Sequence, residues 1–176
     1  MSHDTHHHHK ESFITKYIFS QDHKMIARQY LITAIFMGSI GIALSALFRL
    51  KLGWPDDKFP ILESILGSDA APDGLLDSNW YLGLVTLHGT IMVFFVLTGG
   101  LSGTFSNLLI PLQVGARDMA SGLLNMISYW LFFLSSVLMA SSLFIETGPA
   151  MAGWTVYPPL SVLAEFQPGS GLGMTL

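Results

Sequence analysis

Cysteine is absent from all 176 residues, so the chain has no disulfide, no thiolate-bound metal and no iron–sulfur cluster of its own. Charge is nearly as scarce: 11% of the residues are Asp, Glu, Lys or Arg, against about 25% in ordinary soluble domains. The few charges are also clustered, which leaves long uncharged runs. The formal net charge is −4 and no block of Lys and Arg occurs, a balance that argues against nucleic-acid binding. No signal-peptide pattern is expected either, because the N-terminus is polar and the first apolar run is too long for an h-region. No internal repeat is visible.

What the chain has instead is apolar character, with 51% hydrophobic residues. Three uncharged stretches each reach the roughly 20 residues that a helix needs to cross a bilayer. They predict an all-α, polytopic membrane protein with spans at about 26–49, 80–112 and 123–145. Between Asp77 and Arg117 there is no charge at all, and none between Asp118 and Glu146.

In chain order, residues 1–12 form a polar tail holding His3 and the run His6 to His9, either a low-complexity segment or an expression tag. Phe13 to Arg28 sets Lys16, Lys24 and Arg28 beside Tyr17 and Phe19, as an interfacial segment leading into a span does. Gly38, Gly41, Ser39 and Ser45 would let a second helix or a flat ligand approach the first span, which Arg49 and Lys51 end. Residues 50–79 are a polar connection with three prolines and six acidic residues, whose apolar patch Ile61 to Leu66 reads as a surface helix. Trp80 and Tyr81 suit the membrane interface at the start of the second span. Gly99, Gly100 and Gly103 predict tight packing midway, and Pro111 predicts its end. Residues 146–172, with Trp154, Tyr157 and the Pro158–Pro159 pair, read as a second loop on the same side as 50–79.

Lys and Arg counts orient the bundle. Lys10, Lys16, Lys24, Arg28 and Arg117 fall on one side, and Arg49, Lys51 and Lys58 on the other. Five against three predicts a cytoplasmic N-terminus, with 50–79 and 146–172 external. The second helix then runs inward, and His88 lies about 12 Å below its outer end at 1.5 Å per residue.

His88 is the one histidine inside a predicted span, and an intramembrane histidine is costly enough to be read as functional by default. One reading is an axial ligand, with a neutral imidazole nitrogen on haem iron. Helical spacing puts Tyr81, Leu84, Met92, Phe95 and Gly99 on or near the same face as an apolar lining. The other reading is a histidine hydrogen-bonded to a neighbouring helix, or one step of a proton relay. Asp118 stands beside Arg117 at the opposite interface, where the plain expectation is a solvated charge pair. Asn107 and Asn125 flank the same loop. Two amides and a carboxylate at one membrane face could order water leading inward, but helix capping is the favoured reading from the residues alone.

Six strings occur in order: FSQDHK (19–24), GIALSALFR (41–49), TLHGTIMVFF (86–95), SNLLIPLQVGARDMA (106–120), NMISYW (125–130) and GWTVYPPL (153–160). Together they resemble the N-terminal part of subunit I of haem–copper terminal oxidases, across about residues 13–165. Subunits I of that family have about twelve membrane helices, so residues 13–176 resemble a piece holding the first three. The resemblance implies that His88 is an axial ligand of the low-spin haem, haem a in cytochrome c oxidases. It implies that Arg49 lies near the formyl edge, that Trp154 hydrogen-bonds in the propionate region and that Tyr157 is close by. Asp118 would open the D-type proton pathway, with Asn107 and Asn125 ordering its first waters.

The pattern departs from the family in two places. Where members often read PDMAFPR, this chain has Arg117-Asp118-Met119-Ala120-Ser121-Gly122-Leu123. Lys51 stands where some relatives carry an acidic residue of a cation site. The second low-spin haem ligand, the histidines of the high-spin haem and copper centre, its cross-linked tyrosine and the glutamate ending the D pathway would all lie downstream, so this stretch by itself is expected to be inactive.

The implied activity is that of an enzyme of the respiratory chain: reduction of O2 to water with electrons from cytochrome c, coupled to proton pumping. The implied setting is the inner or plasma membrane, beside a subunit II bearing the copper electron-entry centre and a subunit III. Alternatives are a quinol oxidase, a nitric oxide reductase relative, or a non-catalytic haem-binding helix bundle.

Overall fold

The computed structural model describes residues 12–145, 148–163 and 165. The histidine run His6 to His9, Glu146 and most of the stretch beyond Leu163 lie outside the described residues. Four α-helices occur, α1 (His23–Gly53), α2 (Pro60–Leu66), α3 (Ser78–Val114) and α4 (Gly122–Ser141), with no strand among the described residues. Three helices, α1, α3 and α4 prolonged to Phe144, are long and apolar enough to cross a membrane.

Local chemistry sets the ends. Asp22 caps α1 by accepting from the Met25 N–H at 3.2 Å, and Asp77 caps α3 through the N–H groups of Asn79 (2.8 Å) and Trp80 (3.3 Å). Ser121 caps α4 through Leu124. Each oxygen satisfies a donor that the first helical turn would otherwise leave bare. At the far end of α3, Gly115 adopts a left-handed conformation (φ 70°), the usual glycine termination.

Arg49 and Lys51 stand near the end of α1, which runs on to Gly53; cations in a last turn suit the helix dipole. Pro111 sits buried near the end of α3, which continues to Val114, and the Pro111 carbonyl accepts from Ala116 N–H at 2.9 Å.

Lipid gives helices no hydrophobic reason to associate, so close packing and interhelical polar bonds must hold them. The α1/α3 seam is built that way. Gly100 lies against Ala34, Gly103 against the Tyr30 ring, Gly38 near Val96 and Gly41 near Met92, in antiparallel register. Added Cβ atoms at Gly100 or Gly103 would overlap their neighbours. The α4 helix joins through Tyr30 Oη to Ser128 Oγ (3.3 Å) and Thr33 Oγ1 to Tyr129 Oη (3.2 Å), with Tyr30 also packed on the rings of Tyr129 and Phe132.

Within α3, residues Ile91–Leu101 form wide turns with i to i+5 hydrogen bonds. Such wide turns are uncommon and occur often at functional sites. They also break the ordinary helical spacing, which moves one member of the predicted lining of His88: Gly99 turns to Phe132 of α4. Leu84 and Phe95 are buried in the core between helices.

At the Trp80 end, α2 folds over the bundle as a surface helix, burying Leu62 with Ala70, Ala71 and Leu76 against Trp80 and Leu84. The segment 148–163 returns to the same end. Its Gly153 N–H donates to Thr86 Oγ1 at 3.0 Å, and Pro149 and Met151 rest on Gly83.

Candidate functional site

His88 projects from α3 toward α1, half-buried. Its Nδ1 lies 2.8 Å from the Gly41 carbonyl. A carbonyl can only accept, so Nδ1 carries the proton and the neutral ring keeps its lone pair on Nε2. That nitrogen has no hydrogen-bond partner among the described residues. The Phe48 ring meets the imidazole edge to face, with centroids 5.5 Å apart, and Tyr81 lies beyond Phe48 at 6.1 Å. An imidazole with one nitrogen anchored to a backbone carbonyl and the other free has the arrangement that iron-ligating histidines use. The residues present therefore fit a haem ligand. The two readings left open for His88 are not exclusive, since it is hydrogen-bonded to a neighbouring helix and still has a nitrogen to give.

Arg49 follows Phe48 and is exposed, with no ion pair among the described residues. Trp154 packs edge to face on Phe94 at 5.9 Å and sits against Gly89; it stays 52% exposed. Tyr157 is 71% exposed. Thr86 and Gly89, which carry the returning segment, point away from the α1 side that receives His88. A largely apolar cavity of about 180 Å³ lies there, lined by Thr86, Thr90, Met139, Pro149, Trp154 and Val156 among others. His88 is not in its wall.

The opposite end of the bundle holds a second polar group. Asp118 Oδ1 accepts from the backbone N–H of His23 (3.1 Å) and of Met119 (2.7 Å), and lies 3.2 Å from His23 Nδ1. The expected pairing of Asp118 with Arg117 is therefore corrected: its partner is His23, in the first turn of α1. The reason is geometric. The opening N–H groups of a helix attract an anion, and α1 starts beside the loop that carries Asp118. The carboxylate is 45% exposed while the His23 side chain is 2% exposed. Ligand atoms of Asp22, His23 and Asp118 all lie within 4.8 Å of one another.

Asn107 and Asn125 are not caps, contrary to the favoured expectation. Ser121 and Gly115 hold those positions, and the asparagines bond to each other, Asn125 Nδ2 donating to Asn107 Oδ1. Asn107 Nδ2 in turn donates to Gly103 O at 2.7 Å. Asn107 is buried and Asn125 half-buried, so each amide answers the other across α3 and α4. Ser128, three residues on in α4, bonds to Tyr30 of α1.

Sequence reasoning missed His23, Gly41 and Phe48 as members of these groups. His23 was visible as one of the few histidines outside the tail, inside FSQDHK, but nothing local pairs it with a residue 95 positions on.

Comparison with known proteins adds an independent finding. A family model described as "Cytochrome C and Quinol oxidase polypeptide I" matches residues 25–176. A protein of Bradyrhizobium diazoefficiens named alternative cytochrome c oxidase subunit 1 is 43% identical over 168 residues, which covers 96% of this chain and 26% of that one. A probable quinol oxidase subunit 1 of Staphylococcus aureus is 38% identical over 166 residues, covering 92% of this chain and 22% of its own length. The chain thus spans about a quarter of the length of these relatives.

Proposed function

Because this chain belongs to the cytochrome c and quinol oxidase polypeptide I family, we propose that it supplies part of a haem–copper terminal oxidase that reduces O2 to water with electrons from cytochrome c and pumps protons. Its own contribution would be one axial ligand, His88, for low-spin haem a, and the mouth of a D-type proton path at Asp118. The observation that carries the first part is the Gly41 carbonyl on His88 Nδ1, which leaves Nε2 with its lone pair.

Haem, when bound, supplies an iron that gains and loses one electron at a time. The chain's part is to hold and tune. His88 Nε2 would ligate, with the Phe48 ring limiting its rotation. Arg49, one residue along, would set positive charge at the ring edge, which raises a reduction potential. Trp154 and Tyr157 would serve the propionate side. At the other end, Asp118 would take protons from the cytoplasm, its carboxylate held half-exposed by the first turn of α1. The Asn107–Asn125 pair would order water behind it.

The remaining helices, the high-spin haem, the copper, subunit II with its copper centre and subunit III belong to the whole oxidase. The setting would be the inner or plasma membrane, N-terminus inside, on the five-to-three distribution of Lys and Arg. On this reading 50–79 and 148–163 form the external face. Cytochrome c is favoured as donor by the relative named for it; the relative named as a quinol oxidase favours quinol as the second reading.

The test is His88→Ala in the full oxidase. Loss of the low-spin haem spectrum is expected, and an unchanged bis-histidine signal would remove His88 from the ligand role.

A further inference from the structure

We propose that Gly41 and Met92 are positioning residues for His88. The bare Cα of Gly41 would bring α1 close enough to α3 for the Gly41 carbonyl to hold the Nδ1 proton and so set the donor strength of Nε2. This rests on His88 being an axial ligand.

Three observations converge on the contact. The hydrogen bond is 2.8 Å long and joins a side chain of α3 to the backbone of α1, so its length depends on the spacing of the two helices. Gly41 is buried in the seam, and a Cβ built there would meet Met92 Sδ at 2.8 Å, Met92 Cγ at 3.4 Å and Ile91 Cγ2 at 3.5 Å. Met92 lies one turn past His88 on α3, where the wide turns begin. One turn away in α1, a Cβ on Gly38 would meet only Val96 Cγ2 at an ordinary 3.5 Å. At the residue whose carbonyl the imidazole uses, the Met92 side chain therefore lies closer than any α3 atom does to Gly38.

The chemical consequence follows from the direction of the bond. Pulling the Nδ1 proton toward an oxygen makes the ring more imidazolate-like and Nε2 a stronger donor, which favours ferric over ferrous iron. Lengthening the bond weakens that donation. Haem affinity also depends on such outer partners, whose loss typically costs about 10–100-fold.

The experiment uses the full oxidase complex with Gly41→Ala, Met92→Ala, the double variant and Gly38→Ala. The readouts are the midpoint potential of the low-spin haem by spectroelectrochemistry and its ferric EPR g values. Gly41→Ala is expected to keep a low-spin signal, raise the midpoint and shift the g values. Adding Met92→Ala to it should return both to those of Met92→Ala alone, and Gly38→Ala should match the parent. Parental values in Gly41→Ala, or a shift that Met92→Ala does not reverse, would overturn the proposal.

Should Gly41→Ala fail to assemble, redox-difference infrared spectra of the parent with 15N-histidine carry the test. An Nδ1–H bonded to a peptide carbonyl is expected, and a free or water-bonded Nδ1–H overturns it. The two levels separate cleanly. If His88→Ala keeps the low-spin spectrum, the ligand reading falls and this proposal with it. If His88→Ala loses the spectrum while Gly41→Ala changes nothing, only the positioning role falls.

Discussion

Asp118 Oδ1 and His23 Nδ1, 95 positions apart in the chain, lie 3.2 Å apart, and the same oxygen takes the backbone N–H of His23. A half-exposed carboxylate is thereby fixed on the start of α1, with a buried imidazole behind it. This one contact joins the loop after α3 to the helix that packs along α3, so the position of the charge depends on the assembled bundle.

Removing the charge while keeping the shape tests the proton role. Asp118→Asn in the full oxidase is expected to leave the haems bound and to slow proton uptake roughly tenfold or more, a modest share of what a positioned acid–base group contributes. Stopped-flow pH-indicator traces and pumping assays in vesicles are the measurements. Full-rate uptake and pumping would refute the assignment.

His23→Phe keeps the buried ring volume and the backbone N–H to Asp118 but deletes the Nδ1 contact. The expected cost is about 1–3 kcal/mol of stability, since a charged partner loses a hydrogen bond. Uptake should slow less than in Asp118→Asn. Thermal melting of the purified complex together with the same uptake traces decides it; an effect on uptake as large as that of Asp118→Asn would give His23 a role beyond holding the carboxylate.

Asn125→Leu leaves the buried Asn107 Oδ1 without its donor. That should cost about 1–3 kcal/mol, and Asn107→Leu with Asn125→Leu together should cost less than the sum of the two, as for any residues in direct contact. A double-mutant cycle on melting temperature measures the coupling. Strict additivity would mean that the two amides are independent.

The small-residue seam is tested at Gly100. Gly100→Leu forces a side chain into the space of Ala34, and overpacking of this kind costs about 1–3 kcal/mol or more. Poor assembly of the complex is expected. Gly53→Ala, whose Cβ would meet nothing within 4 Å, should assemble as the parent does.

The sequence by itself determined the helical class, the number of long apolar helices and the singular status of His88. These properties are local or compositional: uncharged length is counted along the chain, and an ionisable group stands out against an apolar run without reference to any neighbour. The resemblance carried by the six strings was legible for the same reason, and the family match over residues 25–176 bears it out.

Only the tertiary structure decided partners. Asp118 chose His23 over its neighbour Arg117, Asn107 chose Asn125 over a cap, and the His88 proton went to the carbonyl of Gly41. Each choice depends on how closely two helices approach and in what register, which small residues permit but local pattern does not specify. One member of the lining predicted around His88, Gly99, departs from it for a related reason. The wide turns of Ile91–Leu101 change the angle between successive side chains, so a face drawn at ordinary helical spacing drifts off by Gly99, and packing against Phe132 settles where that glycine points.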